Sequence, residues 1–277
     1  MSQTERDDLA NAALHNGCGC CARAGWSRRT FLAFGASALA LGSTMPVIAT
    51  DRGALIEPSL RLSLASEQDR VVALTLDACS GACDYKILEA LIASSVPATL
   101  FLTARWIRSN PDGLRIILDH PDLFAIGNHG AQHVAAVLGT SSIFGVRTAG
   151  DLEAITSEVL EGADAIKRTT GREPKWYRGA TALYSPSAVP LIQSLGFSIA
   201  GFSLNADEGA SLPASTVTER MKRARHGDVI IAHMNQPHRP SGAGVIAGIR
   251  TLLDERVRFT KLENATPVLA SLDRRYL

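Results

Sequence analysis

This chain carries almost no net charge. Its 28 Lys and Arg are balanced by 27 Asp and Glu, leaving +1 over 277 residues, so no electrostatic feature points to nucleic acid as a partner. Phosphate-cradling glycine loops are missing as well. Neither GxGxxG nor GxxxxGKS/T follows any strand-like run, which counts against nucleotide chemistry. Long apolar stretches are also wanting: the best candidate, between Thr30 and Ala49, is broken by Gly35, Ser37, Gly42, Ser43 and Pro46, so no stable membrane anchor is expected. Cysteine is scarce, at five residues. Three of these, Cys18, Cys20 and Cys21, sit together ahead of an arginine pair.

That pair belongs to a targeting segment. Ser27-Arg28-Arg29-Thr30-Phe31-Leu32 is followed by an uncharged stretch rich in Ala, Gly and Leu, the pattern of an export signal whose two arginines are read by the twin-arginine translocase. Val47-Ile48-Ala49 offers a cleavage site, so residues 1–49 are expected to be the signal, residues 50–277 the catalytic domain, and the product periplasmic or secreted. The first three cysteines would leave with the signal, and their CxCC spacing is not read as a zinc site. Cys79 and Cys83 remain. Four apart in one loop, they can form a local disulfide, ligate a metal or stay free.

The body of the chain has 46% apolar content to draw on, enough for a full core. Val71 to Leu76 is a short, continuously apolar run that stops at Asp77 and a loop containing Ser80 and Gly81, and a helical pattern starts at Asp84, so this is the strand of a βα unit. Strand-like runs recur at Ala98 to Leu102, Leu123 to Ile126, Lys175 to Arg178, Phe197 to Leu204, Val229 to Ala232 and Arg258 to Leu262. A long helical pattern from Asp151 to Thr169 is closed by Gly171 and Pro174. Seven strands alternating with helices, without an internal repeat, predict an α/β fold: a deformed TIM-like barrel of (β/α)7 type with parallel strands.

Chemistry in such a barrel gathers at the carboxyl ends of the strands. Asp77 ends the first, His129 and His133 follow the third, Arg178 ends the fourth, Asn205 and Asp207 follow the fifth, and His233 ends the sixth. Two histidines four apart on a helical turn would point the same way, and paired imidazoles with a carboxylate commonly hold zinc while leaving a position open. Trp106 and Trp176 read as core side chains rather than sugar platforms. The Gly-, Ser- and Thr-rich stretch 134–150 reads as a loop able to cover the site.

The ordered motifs VALTLDAC, PATLFLT, IGNHGAQH, WYRGA and GDVIIAH resemble the polysaccharide deacetylases of the NodB-homology type, which remove acetyl groups from N-acetylglucosamine in chitin-like oligomers or peptidoglycan. The resemblance implies a divalent metal, with zinc the expected one, and an N-acetylated polysaccharide or oligosaccharide as partner. It makes Asp77 the general base, His129 and His133 metal ligands, and Arg178 the group that orients the base. It makes His233 the acid for the leaving amine, with Asp207 or Asn205 tuning it. One departure stands out, because the family has two successive acids where this chain has Asp77-Ala78. Asp77 itself, Cys79 as thiolate or Asp84 could then complete the metal shell alongside His129 and His133, and with Asp77 as ligand the base role would pass to Glu208 or a water. Two other functions stay open: a metal-free carbohydrate-binding pseudoenzyme, and a hydrolase of a non-sugar amide.

Overall fold

The computed structural model describes residues 54–64, 69–264 and 266–276. The arginine pair, Cys18, Cys20 and Cys21 lie outside the described residues. The described chain enters on β1 (Ala54–Ser63), in which buried and partly exposed positions largely alternate, the period of a strand covered on one face. There follow β2 (Val71–Ala78), α1 (Tyr85–Ala93), β3 (Ala98–Leu102), α2 (Ala104–Ser109), α3 (Pro111–Asp119) and β4 (Phe124–Asn128). An excursion of short strands, β5 (Ala135–Leu138), β6 (Ser142–Ile143) and β7 (Val146–Gly150), leads to the long α4 (Leu152–Thr170). The second half runs through β8 (Trp176–Tyr177), α5 (Ala188–Ser194), β9 (Ser198–Ile199), β10 (Leu204–Asn205), α6 (Ala214–Lys222), β11 (Val229–His233), α7 (Ser241–Asp254), β12 (Arg258–Thr260) and β13 (Thr266–Tyr276).

One eight-stranded sheet runs β10-β11-β2-β3-β4-β8-β9, with β12 also on β2, and its pairings are parallel. The end strands β9 and β10 are joined by residues 200–203 alone. The sheet therefore curls on itself, and β1 lies along the join through Phe202 N–H to Pro58 O and Leu60 N–H to Phe202 O. This curled parallel barrel is the expected fold. β1 in turn pairs antiparallel with β13.

The pleat of β2 divides its side chains between two environments. Val72, Leu74, Leu76 and Ala78 join an outer core with Ile87, Leu88 and Leu91 of α1 and Val245, Ile249 and Leu252 of α7. Ala73 faces inward, in a plug with Phe101, Val229, Leu60, Leu62 and Leu262. Burial on both faces is why the strand reads as an unbroken apolar run. Trp106 is fully buried in the outer core and Trp176 packs on the inner plug, as their sequence setting suggested.

Two expectations need correction. The run from Phe197 to Leu204 is not one strand but two, β9 and β10, because the backbone at Gly201 turns against Pro58 of β1; a side-chain carbon there would lie 2.0 Å from Pro58 O. The stretch 134–150 is not a free loop but a small sheet. Ala135, Val137 and Ile143 pack with Leu55, Ala180 and Leu183, and burying them is what orders it. Among the described residues, no helix is long and apolar enough to cross a membrane.

Helix α4 starts at the Asp151 cap, whose carboxylate accepts Ala154 N–H, and stops at Gly171. Its buried stripe, Ile155, Glu158, Val159, Gly162 and Ile166, repeats at helical spacing. At Gly162 the helix meets the segment after β4: an added methyl would sit 2.4 Å from Asn128 Oδ1 and 2.6 Å from Gly130 C. Gly162→Ala is therefore expected to lose about 1–3 kcal/mol by overpacking although alanine favours helix, and a urea melt no weaker than wild type would contradict the contact.

Candidate active site

β2 delivers Asp77 at the mouth of the barrel. The side chain is buried, and Arg178 Nη1 donates to its Oδ1 at 2.8 Å and to Thr75 Oγ1 at 2.9 Å. The remaining guanidinium nitrogens are also committed, Nε to Ala200 O and Nη2 to Gly201 O, both at 3.1 Å. Burial alone would push the Asp77 carboxyl up; Arg178, then His129 and His233, outweigh it and hold the group below its ordinary value.

His233 stands beside Asp77 in the parallel register of β11 and β2. Asp207 is fully buried and grips this histidine twice, accepting its backbone N–H through Oδ2 at 2.7 Å and facing its Nδ1 through Oδ1 at 2.8 Å. Burial would lower the imidazole, but Asp207 overrides it and raises His233 well above the usual histidine range. Asn205 does a different job: its Oδ1 accepts Glu208 N–H, and Glu208 pairs with Arg220 at 2.7 Å on the exposed side. The Glu208 side chain is thus committed away from Asp77.

His129 follows β4 and donates Nδ1–H to Arg178 O at 2.6 Å. Its Nε2 is left facing Cys79 Sγ at 3.4 Å and Asp77 Oδ2 at 3.8 Å. His133 comes alongside with ring centroids 5.1 Å apart, yet not on a helical turn. The segment between them is a loop with Gly130 at φ +86° and His133 at φ +65°, wrapped around a buried carboxylate. Glu158 accepts N–H bonds from Gln132 and Val134 at 3.0 Å, and its own carbonyl accepts Ala131 N–H. A side chain at position 130 would lie 2.3 Å from Glu158 Oε1, which accounts for the glycine.

Cys79, His129 and His133 place one donor atom each within 4.8 Å of one another, and among the described residues they are the group of three that could hold a metal ion. Burial pushes the Cys79 thiol up, but His129 and then the neighbouring imidazoles bring it well below the usual thiol range. Asp77 borders this group rather than completing it. Ala78 faces away into the outer core, and Asp84 caps α1 by accepting Lys86 N–H. The two remaining cysteines are free: Cys83 lies on the far side under Gly113 and Trp106, where burial and then Asp84 push its thiol up to about 12.

The sequence did not single out Glu158. Its signal was present all the same, as an acid inside the buried helical stripe of α4.

An ionised acid, a protonated imidazole and a donor cluster at the mouth of a curled parallel barrel suit hydrolases of carbon–nitrogen bonds outside peptides. Residues 65–200 match the family model for polysaccharide deacetylase. Asp207 and His233 lie beyond the matched stretch. No curated protein matches the chain. Among solved structures, peptidoglycan deacetylase PdaC from Bacillus subtilis shares 19% identity over 72% of this chain and 91% of its own, with a TM-score of 0.58. A family 4 carbohydrate esterase from Streptomyces lividans shares 19% over 68% of this chain and 91% of its own, with a TM-score of 0.56. A CE4 family pseudoenzyme from Bacillus anthracis shares 16%, over 72% of this chain and 66% of its own, with a TM-score of 0.57. At these identities the likeness shows the fold.

Two outcomes follow from the geometry. Ala78→Asp buries an unpaired carboxyl in an apolar layer and is expected to lose on the order of 4 kcal/mol at neutral pH. A carboxyl raised by burial regains that stability as pH falls toward its unfolded value; urea melts across pH check both, and a variant as stable as wild type would contradict the orientation of Ala78. Cys83, buried and held near 12, is expected to resist iodoacetamide in the native protein at neutral pH, with both thiols alkylated after denaturation without reductant. A Cys79–Cys83 disulfide in the peptide map would overturn this.

Proposed function

We propose that the chain is an exported, metal-dependent hydrolase that removes N-acetyl groups from an amino-sugar polymer, either peptidoglycan or a chitin-like oligosaccharide. The observation that carries this is the pairing of Asp77 with His233 across β2 and β11, each with its own charged partner, beside the Cys79, His129 and His133 cluster. The match of residues 65–200 to the polysaccharide deacetylase family model supports an N-acetylated sugar as substrate. Residues 1–49 act as the twin-arginine signal and the translocase is the partner during export.

The donor chemistry fits a divalent cation, zinc being the expected one. His129 is oriented by donating Nδ1–H to a backbone carbonyl, which fixes the tautomer that offers Nε2, the usual support for a metal-bound histidine. When bound, such a cation lowers the pKa of water and polarises an amide carbonyl.

The side chains divide the proton work. Asp77, kept ionised by Arg178, accepts the proton of the attacking water. Arg178 locks that carboxylate in place through its bond to Oδ1 and its backbone anchors. His233, kept protonated by Asp207, donates to the departing nitrogen, so acid and base act from adjacent strands on opposite sides of the scissile bond.

Acetate release from chitooligosaccharides and peptidoglycan fragments tests this. The zinc-loaded full chain is expected to release acetate and to lose roughly 100-fold or more in rate on Asp77→Asn or His233→Ala, the range of a positioned acid or base. Sugar binding without acetate release would point to a binding pseudoenzyme, and release from a non-sugar amide alone would move the substrate class. The Asp207 anion raises His233, so its proton is lost only at high pH. Asp207→Asn should lower that pKa and move the alkaline limb of kcat/KM to lower pH; an unmoved limb would remove His233 from the acid role.

A further inference from the structure

Cys79 lies two residues past the base and on the same side of β2. Thr75 and Asp77 both meet Arg178 inside the barrel, Ala78 turns outward, and the thiol returns inward to 3.4 Å from His129 Nε2. The two-residue alternation of β2 is thus carried one position past its end at Ala78. Ala78 itself therefore offers nothing to the mouth of this barrel.

The loop that holds the thiol is fixed from three directions. Thr103 Oγ1 donates to Cys79 O at 2.6 Å and Asn235 Nδ2 donates to Ser80 O. Asn110 donates to Gly81 O and accepts Cys83 N–H, both at 2.9 Å. Side chains from β3's end, the segment after β11 and the junction of α2 and α3 thus set one loop conformation, the preorganisation a ligand needs. Asp77 is held by Arg178 through Oδ1 and borders the donor group through Oδ2, and Asp84 is taken by the α1 cap.

We infer that the Cys79 thiolate is the third protein ligand of the metal, giving a Cys-His-His centre that takes thiophilic cations such as zinc or cobalt in preference to magnesium or calcium. Hard cations favour all-oxygen shells, whereas thiolate and imidazole suit zinc and its borderline neighbours. The sulfur binds as thiolate. The inference rests on the metal-dependent reading above and specifies its ligand set.

Cobalt(II) titration of the metal-stripped full chain tests it by absorption rather than turnover. Wild type is expected to bind cobalt(II) with an intense near-ultraviolet thiolate-to-cobalt band, unaffected by a large excess of magnesium. Cys79→Ser should lose the band and bind at least roughly tenfold more weakly, the lower bound for residues that only orient a ligand; Cys83→Ser should keep it. Cobalt binding without the band, or a band that survives Cys79→Ser, would overturn the thiolate ligand while leaving metal dependence standing. No binding of cobalt(II) or zinc by wild type would overturn both. Circular dichroism of each variant separates loss of the ligand from loss of the fold, and the titrations are made with Cys18, Cys20 and Cys21 replaced by serine so that none of these three thiols can give the band.

Discussion

The buried pair between Arg178 and Asp77 is the constraint on which the rest of the site hangs. A guanidinium with no exposure gives up hydration worth several kcal/mol, and it is tolerated here because its donors are met: Asp77, Thr75 and the carbonyls of Ala200 and Gly201. Its carbon also lies 4.3 Å from the centroid of the Phe101 ring, a cation–π contact. Strands β2, β3 and the β9–β10 join all end on this one side chain, and its own carbonyl orients His129. Breaking the pair would leave an uncompensated buried charge, a loss of about 3–5 kcal/mol. Position, more than stability, is what the arrangement secures.

From that anchor the division of labour follows by parity. Asp77 is tied through Oδ1 to a cation of the protein, which keeps the carboxylate ionised and leaves Oδ2 facing His129 Nε2 at 3.8 Å. Cys79, the residue after β2, turns its thiol inward to His129 Nε2. His233 and its Asp207 partner occupy the neighbouring strand, and the Glu158-bound loop brings His133 to the other side of the donors. Each of these groups has a fixed partner behind it, which is how a site on loops reaches the precision that hydrolysis demands.

Much of this arrangement is legible in the amino-acid sequence. Strand-end polar residues in a parallel barrel converge by topology alone, so Asp77, His129, Arg178, Asp207 and His233 can be gathered from the apolar runs that precede them. What escapes depends on local backbone. The histidines at 129 and 133 come together through positive φ at Gly130 and His133, which a helical-turn reading of HxxxH does not anticipate. The choice among Asp77, Cys79 and Asp84 turns on whether β2 continues past Leu76. It runs to Ala78, and that extra length sets which side chains face in. The stretch 134–150 reads as a loop because its apolar residues are short and spaced by Gly, Ser and Thr, and its order comes from Leu55, Ala180 and Leu183, distant in sequence.

The most direct test of the central claim, that Arg178 reserves Asp77 for proton transfer and leaves the third metal position to Cys79, is X-ray absorption of the zinc-loaded full chain. The account predicts one sulfur at about 2.3 Å with two imidazole nitrogens at about 2.0 Å. A shell of nitrogen and oxygen alone, with no sulfur scatterer, would contradict it.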